Sequence, residues 1–175
     1  MKVLVAYMSS TGNTKKIAEA IFEEIEEEKE IRKIEQVESI GSYDVAFLGF
    51  PVHNLGPDKK AVKLLKRHCT DGRAVVLFIT HGTRENSPDL LPQLDKFRQA
   101  ASGANIVDVF NCQGELAKAI KRVMSIWPNA QFRLWAKMDN SQGQPDTTRI
   151  DRARAFSRAV MERFHSAPMP AGASK

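Results

Sequence analysis

Short runs of consecutive apolar residues alternate along this chain with helical patterns, and few folds accommodate that alternation. The clearest runs are Val3–Tyr7, Asp44–Phe50, Ala74–Thr80 and Asn105–Phe110. Uninterrupted apolar runs of this length predict strands that are buried on both faces, whereas apolar residues at helical spacing predict amphipathic helices. Strands that alternate with helices predict βαβ units, and therefore a parallel sheet with helices on both faces.

Four helices are predicted between and after these strands. They run from Ile17 to Ile25, from Pro57 to a closing Gly72, from Pro92 to a closing Gly103, and from a Thr148/Asp151 capping box to residue 165. Proline is tolerated in the first turn of a helix, and glycine is favoured just after the last turn. Residues Ile31–Val37 are a weaker strand candidate, because their charged side chains require an exposed edge.

The length of 175 residues predicts one domain, which we place at residues 1–165. Residues 113–145 are too long for an ordinary connection and are interpreted as an elaboration between the fifth strand and the last helix. The elaboration contains an amphipathic stretch, Leu116–Trp127, and an alternating apolar segment, Phe132–Met138. Residues 166–175 are predicted to be a flexible tail.

Composition excludes several classes of protein. Apolar residues make up 42% and charged residues 27%, which argues against a disordered chain. No membrane-spanning run and no signal peptide are apparent, so we expect a cytoplasmic protein that does not bind membranes. Cys69 and Cys112 lie far apart without a CxxC motif, so we expect reduced thiols and no metal site.

The net charge of +5 is uneven, because the first third of the chain is acidic and the last third is basic. No nucleic-acid-binding motif accompanies the basic residues, so nucleic acid is not an expected partner. The alternative interpretation is that the basic residues of the last third form the solvated face of a helix.

The segment Ser9-Ser10-Thr11-Gly12-Asn13-Thr14 lies between a predicted strand and a predicted helix. The N-terminus of a helix presents unpaired N–H groups, and a glycine lets the backbone curl around an anion. A helix cap needs only one or two hydroxyls, whereas this segment has four. The segment therefore predicts a phosphate site.

This segment resembles the FMN phosphate loop of the flavodoxin family, whose pattern is hydroxyl, any residue, Thr, Gly, any residue, Thr. The strands ending in Gly49-Phe50-Pro51 and Thr80-His81-Gly82 follow the flavodoxin order, and the Rossmann and P-loop glycine patterns are absent. The resemblance implies a flavodoxin-like, doubly wound, five-stranded parallel sheet of order 2-1-3-4-5, and FMN as the cofactor.

The resemblance also implies where FMN binds. The phosphate belongs in the first loop, and the loops after the third and fourth strands flank the isoalloxazine ring. The implied cofactor-binding residues are Ser9, Ser10, Thr11, Gly12, Asn13, Thr14, Pro51, Val52, His53, Asn54, Leu55, Gly56, Thr80, His81, Gly82 and Thr83. No catalytic residue is identified.

This chain departs from the family in the loops that flank the ring, which contain neither Trp nor Tyr. His53 and His81 are candidates to hydrogen-bond the ring or shuttle a proton, and the alternative is that both are water-exposed loop residues. Trp127 and Trp135 are either an aromatic cap for the flavin or, more often for such residues, core. Cys112 is either close to the site or a small buried hydrophobe.

Three functions remain open from the sequence. The first is an electron carrier for a redox partner protein with an acidic docking surface, steered by Lys121, Arg122, Arg133 and Lys137 of the elaboration. The second is an FMN-dependent NAD(P)H reductase of a quinone or other small acceptor. The third is a non-redox binding module that keeps the phosphate loop. The sequence does not distinguish a monomer from a dimer.

Overall fold

A computed structural model describes residues 1–166, in which five parallel strands form one sheet of order β2-β1-β3-β4-β5. The strands are β1 (Lys2–Tyr7), β2 (Glu28–Lys33), β3 (Val45–Pro51), β4 (Ala74–His81) and β5 (Asn105–Gln113). The predicted fold class and strand order are confirmed.

Six α-helices and one short 3-10 helix, Ile34–Gln36, connect the strands and complete the described chain. The α-helices are α1 (Asn13–Glu24), α2 (Lys59–His68), α3 (Leu90–Ala100), α4 (Lys118–Ile126), α5 (Ala130–Met138) and α6 (Thr147–Ser166). No helix among residues 1–166 is both long enough and apolar enough to cross a membrane.

The sheet divides the core into two layers, which explains the uninterrupted apolar runs. In β3, Phe47 points to the layer that contains α1 and α6, and Phe50 points to the layer that contains α2 and α3. Phe78 of β4 joins the first layer, and Leu77 joins the second. Because side chains alternate along a strand, only a run that is apolar at every position fills both layers.

The predicted second strand, Ile31–Val37, is displaced in the structure. The strand spans Glu28–Lys33 at the edge of the sheet, and the chain then turns into the 3-10 helix. Ile34 and Val37 are buried in the α2 and α3 layer. Their three-residue spacing suits a turn that returns to the core, and strand alternation would have left one of them exposed.

Several predicted helix ends are also wrong. Helix α3 begins at Leu90, so Pro92 lies inside the first turn, where its missing N–H costs no hydrogen bond. Gly72 and Gly103 lie beyond the ends of their helices, in two turns joined by a hydrogen bond from Gly72 N to Gly103 O (3.1 Å). Gly103 is packed so closely on Cys69 that a Cβ would lie 2.3 Å from its carbonyl oxygen.

The Thr148/Asp151 capping box is not formed, because Asp146 caps α6. The Asp146 carboxylate accepts a hydrogen bond from Arg149 N at 3.0 Å. Helix α6 ends at Ser166, so the predicted tail begins at least one residue too early, and residues 167–175 lie outside the described residues.

The elaboration consists of α4 and α5. The alternating segment Phe132–Met138 lies within α5, so its alternation does not mark a strand. Asn129 caps this helix by accepting a hydrogen bond from Gln131 N at 2.8 Å. The two helices contact each other, and Ala136 is their only buried residue.

Candidate functional site

The predicted cofactor loops meet at the carboxyl edge of the sheet. We call the segments after β1, β3 and β4 loop 1 (residues 8–12), loop 3 (residues 52–58) and loop 4 (residues 82–89). Backbone hydrogen bonds extend the strand pairing into these segments, from Met8 N to Gly49 O (2.8 Å) and from Val52 N to Thr80 O (2.8 Å). Parallel strands end at one edge, so three segments distant in sequence form one surface.

Loop 1 leads into an uncapped helix. Gly12 has a left-handed backbone (φ 93°), and no side chain caps the N-terminus of α1. The Ser9 hydroxyl instead accepts a hydrogen bond from Gly12 N at 3.1 Å, which braces the turn. Ser10 and Thr11 are exposed, and the hydrogen bonds of residues 1–166 give their hydroxyls no protein partner. The first amides of α1 and the two neighbouring hydroxyls are therefore available to an anion.

The side chains of Asn13 and Thr14 anchor loop 1 to the rest of the protein. Thr14 is buried, and its hydroxyl lies 2.8 Å from the Thr80 hydroxyl at the end of β4. Asn13 Nδ2 donates to the carbonyl oxygen of Glu115, just after β5, at 2.9 Å. These two residues offer their backbone N–H groups to an anion, and their side chains hold the helix start in place.

Loop 3 contains a tight turn with an unusual residue at its tip. His53 N donates to Gly56 O (2.8 Å), and Gly56 N donates to His53 O (3.1 Å). Asn54 and Leu55 between them have positive φ values of 46° and 64°, as a type I′ turn requires. Leucine is rare in this conformation, and Leu55 is exposed. Lys96 steadies the tip by donating to the Leu55 carbonyl oxygen at 2.9 Å.

His81 is the last residue of β4 and is buried, so the expectation of a water-exposed loop residue is wrong. Its Nδ1 lies 2.8 Å from the carbonyl oxygen of Thr83, which only accepts, so Nδ1 carries the proton. Nε2 lies 3.1 Å from Asn111 Oδ1. Because a neutral imidazole with its proton on Nδ1 accepts at Nε2, a hydrogen bond here requires the Asn111 amide to be turned so that its nitrogen faces the ring. Burial lowers the pKa of His81, which keeps the ring neutral.

Loop 4 is held by a network of polar residues that the sequence pattern did not mark. Glu85 accepts hydrogen bonds from Arg149 Nε (2.8 Å), Arg152 Nη1 (2.8 Å) and Gln113 N (3.1 Å). The buried Gln113 side chain donates to Gly82 O at 3.3 Å. No periodicity predicts such a network, because its members come from a loop, a strand and the last helix.

Thr83 and Gly82 complete the predicted set in loop 4. Gly82 is exposed, and the half-buried Thr83 bonds the buried Gln93 amide at 3.2 Å. Pro51 ends β3, and Val52 is half-buried beside it. The structure thus brings all three predicted segments together, although Thr80 and His81 face the protein interior.

Trp127, Trp135 and Cys112 are the remaining candidates for the flavin site. The two tryptophans are exposed, whereas the cysteine is buried. Trp127 and Trp135 are 48% and 38% exposed, so the expectation that they are core residues is wrong. Cys112 is buried as expected for a small hydrophobe, and burial raises the pKa of its thiol to about 12. A thiol with that pKa is a poor nucleophile near neutral pH.

Comparison with known proteins decides the family. A family model described as a flavodoxin domain matches residues 4–158. The chain belongs to the flavodoxin family. It is 32% identical over 173 residues to the flavodoxin-like domain-containing protein BilS of Clostridioides difficile strain CD3, covering 92% of this chain and 97% of that protein.

Solved flavodoxins share the fold at lower identity. Flavodoxin 2 from Bacillus cereus aligns with a TM-score of 0.59 at 20% identity, over 94% of this chain and 100% of that one. A flavoprotein from Lactobacillus acidophilus NCFM, solved in complex with FMN, aligns with a TM-score of 0.53 at 22% identity, over 63% of this chain and 92% of that one.

FMN is the cofactor of the flavodoxin family, and loop 1 fits its phosphate. A Cβ built on Gly12 meets no atom within 4 Å, so the space beside the helix start is open. The donors there are neutral hydroxyls and backbone amides, which bind a phosphate without a lysine. Loop 3 contains the half-buried His53 and the exposed Leu55, and neither loop 3 nor loop 4 contains a Trp or a Tyr.

Proposed function

We propose that this protein is an FMN-binding electron carrier that exchanges electrons with a redox partner protein. The observation that carries the proposal is the uncapped, glycine-led start of α1 beside the free hydroxyls of Ser10 and Thr11. Its position at the carboxyl edge, next to β1 and β3, is where this fold binds FMN. Membership of the flavodoxin family supports the same assignment.

The chain's own residues bind and orient the cofactor in this proposal. Ser10, Thr11 and the first amides of α1 hold the phosphate, and the turn at Leu55 packs against the ring. Bound FMN accepts and donates electrons, so no protein nucleophile is needed. His81 has both ring nitrogens engaged, so it orients loop 4 and does not relay protons.

Titration of the colourless apoprotein into FMN tests the binding step, because burial of the ring quenches its fluorescence. We expect saturable quenching by the native protein. A Ser10→Ala/Thr11→Ala variant should bind about a hundred-fold more weakly, since each hydroxyl loses one hydrogen bond to a charged group. Ser42→Ala/Ser102→Ala is the matched control, because both serines are exposed and lie toward the opposite edge of the sheet. Absence of quenching by the native protein would refute FMN binding.

Stopped-flow reduction of the FMN-loaded protein tests the carrier role. We expect NADPH and NADH to bleach the flavin slowly by themselves and rapidly when a separate flavoprotein reductase is added. Rapid bleaching by NAD(P)H alone would instead establish a reductase. A protein that binds no FMN at all would be a non-redox binding module of the same fold.

A further inference from the structure

The α4–α5 hairpin, residues 118–138, carries most of the exposed large hydrophobic residues of the described chain. Eight of the eleven large hydrophobic residues that are exposed within residues 1–166 belong to it. Helix α4 contacts α5 but has no buried residue, so packing among residues 1–166 leaves its apolar face exposed. A concentrated apolar surface of this kind marks an interaction site.

The aromatic residues at the tip of the hairpin form an ordered cluster. The rings of Trp127 and Phe132 are 6.3 Å apart at 74°, and those of Phe132 and Trp135 are 5.4 Å apart at 87°. These are favourable edge-to-face geometries. Arg133 Nη1 also donates to the carbonyl oxygens of Trp127 (2.7 Å) and Pro128 (2.6 Å), which closes the turn between the helices. An ordered cluster loses little entropy when a partner covers it.

The base of the hairpin is attached to the cofactor edge. Arg84 of loop 4 donates to the Met138 carbonyl oxygen at 2.7 Å. Asn13, beside loop 1, donates to the Glu115 carbonyl oxygen at 2.9 Å. Lys121 forms an ion pair with Asp139 at 2.8 Å, and the Asp139 side chain is only 6% exposed. A protein bound on the hairpin therefore lies beside the loops assigned to FMN.

The hairpin also carries positive charge that no described residue of the chain neutralises. Lys118, Arg122 and Lys137 form no ion pair among the described residues. The arginines of α6 differ, because each is paired: Arg149 and Arg152 with Glu85, Arg154 with Glu23, Arg158 with Glu24 and Arg163 with Asp108. Of the four cations expected to steer a partner, Lys121 and Arg133 have structural roles. Lys118, Arg122 and Lys137 are therefore the cations of the hairpin that could pair with carboxylates of a partner.

We propose that the α4–α5 hairpin is the docking surface for a redox partner protein whose contact face is an apolar patch bordered by carboxylates. The function of this docking in electron exchange rests on the proposed carrier role. Aromatic residues, Met and Arg are the residue types enriched in protein interfaces, and the hairpin contains all of them. The same hairpin of a second copy of the chain fits less well, because the contact would bring like charges together.

The two tryptophans of the chain provide a direct probe, because both lie on the hairpin. The probe ligand is a synthetic amphipathic helical peptide with a leucine stripe flanked by glutamates. We expect it to shift the tryptophan emission saturably to shorter wavelength, with or without FMN. A matched peptide with lysines in place of the glutamates should not bind.

Charge variants make the test specific. Lys118→Gln/Arg122→Gln/Lys137→Gln should weaken peptide binding by about ten-fold at low salt, with the difference shrinking as salt rises. Lys63→Gln/Lys66→Gln/Arg73→Gln removes the same types of charge toward the opposite edge of the sheet and should have little effect.

Four results would overturn the docking proposal. The first two are the absence of an emission shift with the glutamate peptide and equal weakening of peptide binding by both triple variants. The other two are an emission shift that appears only when the protein concentration is raised, and one that appears only with vesicles of anionic phosphatidylglycerol. The last two would assign the surface to self-association or to a membrane. FMN quenching in the same samples keeps the proposals separate. FMN binding without peptide binding refutes the docking surface alone, and peptide binding without FMN binding refutes the carrier alone.

Discussion

Replacing Glu85 with glutamine tests the network that holds loop 4. The Glu85 carboxylate accepts hydrogen bonds from Arg149 Nε (2.8 Å), Arg152 Nη1 (2.8 Å) and Gln113 N (3.1 Å). The side chains of Glu85 and Arg149 are 27% and 18% exposed, so water screens this pair only partly. Glu85→Gln keeps the shape of the side chain and removes its charge.

The expected loss of stability follows from these contacts. Hydrogen bonds to a charged group contribute about 1.5–3 kcal/mol and neutral ones about 0.5–1.5 kcal/mol. Glutamine still accepts one or two of the bonds, and relief of carboxylate desolvation offsets part of the loss. We expect a net loss of about 2 kcal/mol near neutral pH, which corresponds to a fall in Tm of roughly 4–8 °C for a chain of this size. Urea unfolding and calorimetry measure both quantities.

Glu23→Gln is the control, because it breaks an ion pair of the same type at the surface. Glu23 is paired with Arg154 at 2.8 Å, but its side chain is 62% exposed. Exposed pairs contribute little to stability, so the expected loss is much smaller than that of Glu85→Gln. If Glu85→Gln were no more destabilising than Glu23→Gln, the network would not anchor loop 4.

The pH dependence provides a second test. Burial, the largest influence, raises the pKa of Glu85, but the Gln113 N–H and the two arginines together bring the pKa below its ordinary value. The stabilisation is therefore fully present above the unfolded pKa of about 4.3 and is lost as pH falls through the lower native pKa. The stabilities of native protein and Glu85→Gln should converge in acid. A difference independent of pH would contradict the charge mechanism.

Three further predictions concern the core and the cofactor edge. Gly49→Ala should destabilise by about 3 kcal/mol in urea unfolding, because its Cβ would lie 2.0 Å from a buried phenyl ring. Thr14→Val should cost about 1–3 kcal/mol by stranding the Thr80 hydroxyl, and Thr14→Val/Thr80→Val should recover part of that loss. Cys69 and Cys112, each with a pKa raised by burial to about 12, should react with iodoacetamide only after unfolding, as mass spectrometry of labelled protein would show.

The strands, and the edge of the sheet at which the predicted cofactor loops meet, could be predicted because both depend on local pattern. An apolar run such as Ala74–Thr80 needs two covered faces, and parallel strands bring their carboxyl ends to one edge. The hydroxyl-rich loop after β1 was visible for the same reason. The second strand and the helix of residues 130–138 were harder, because short apolar patterns fit a turn, a strand or a helix equally well.

The sequence by itself determined the layers of the fold, the strand order through its family resemblance, and the hydroxyl-rich segment that we propose binds the phosphate. Only the tertiary structure decided which polar groups form hydrogen bonds or ion pairs within the described protein and which have no such partner there. Asn13 bonds a carbonyl 102 residues away, and Glu85 bonds Arg149 64 residues away. Hydrogen bonds and ion pairs depend on the distance between atoms, and sequence patterns carry no information on such distances between remote segments.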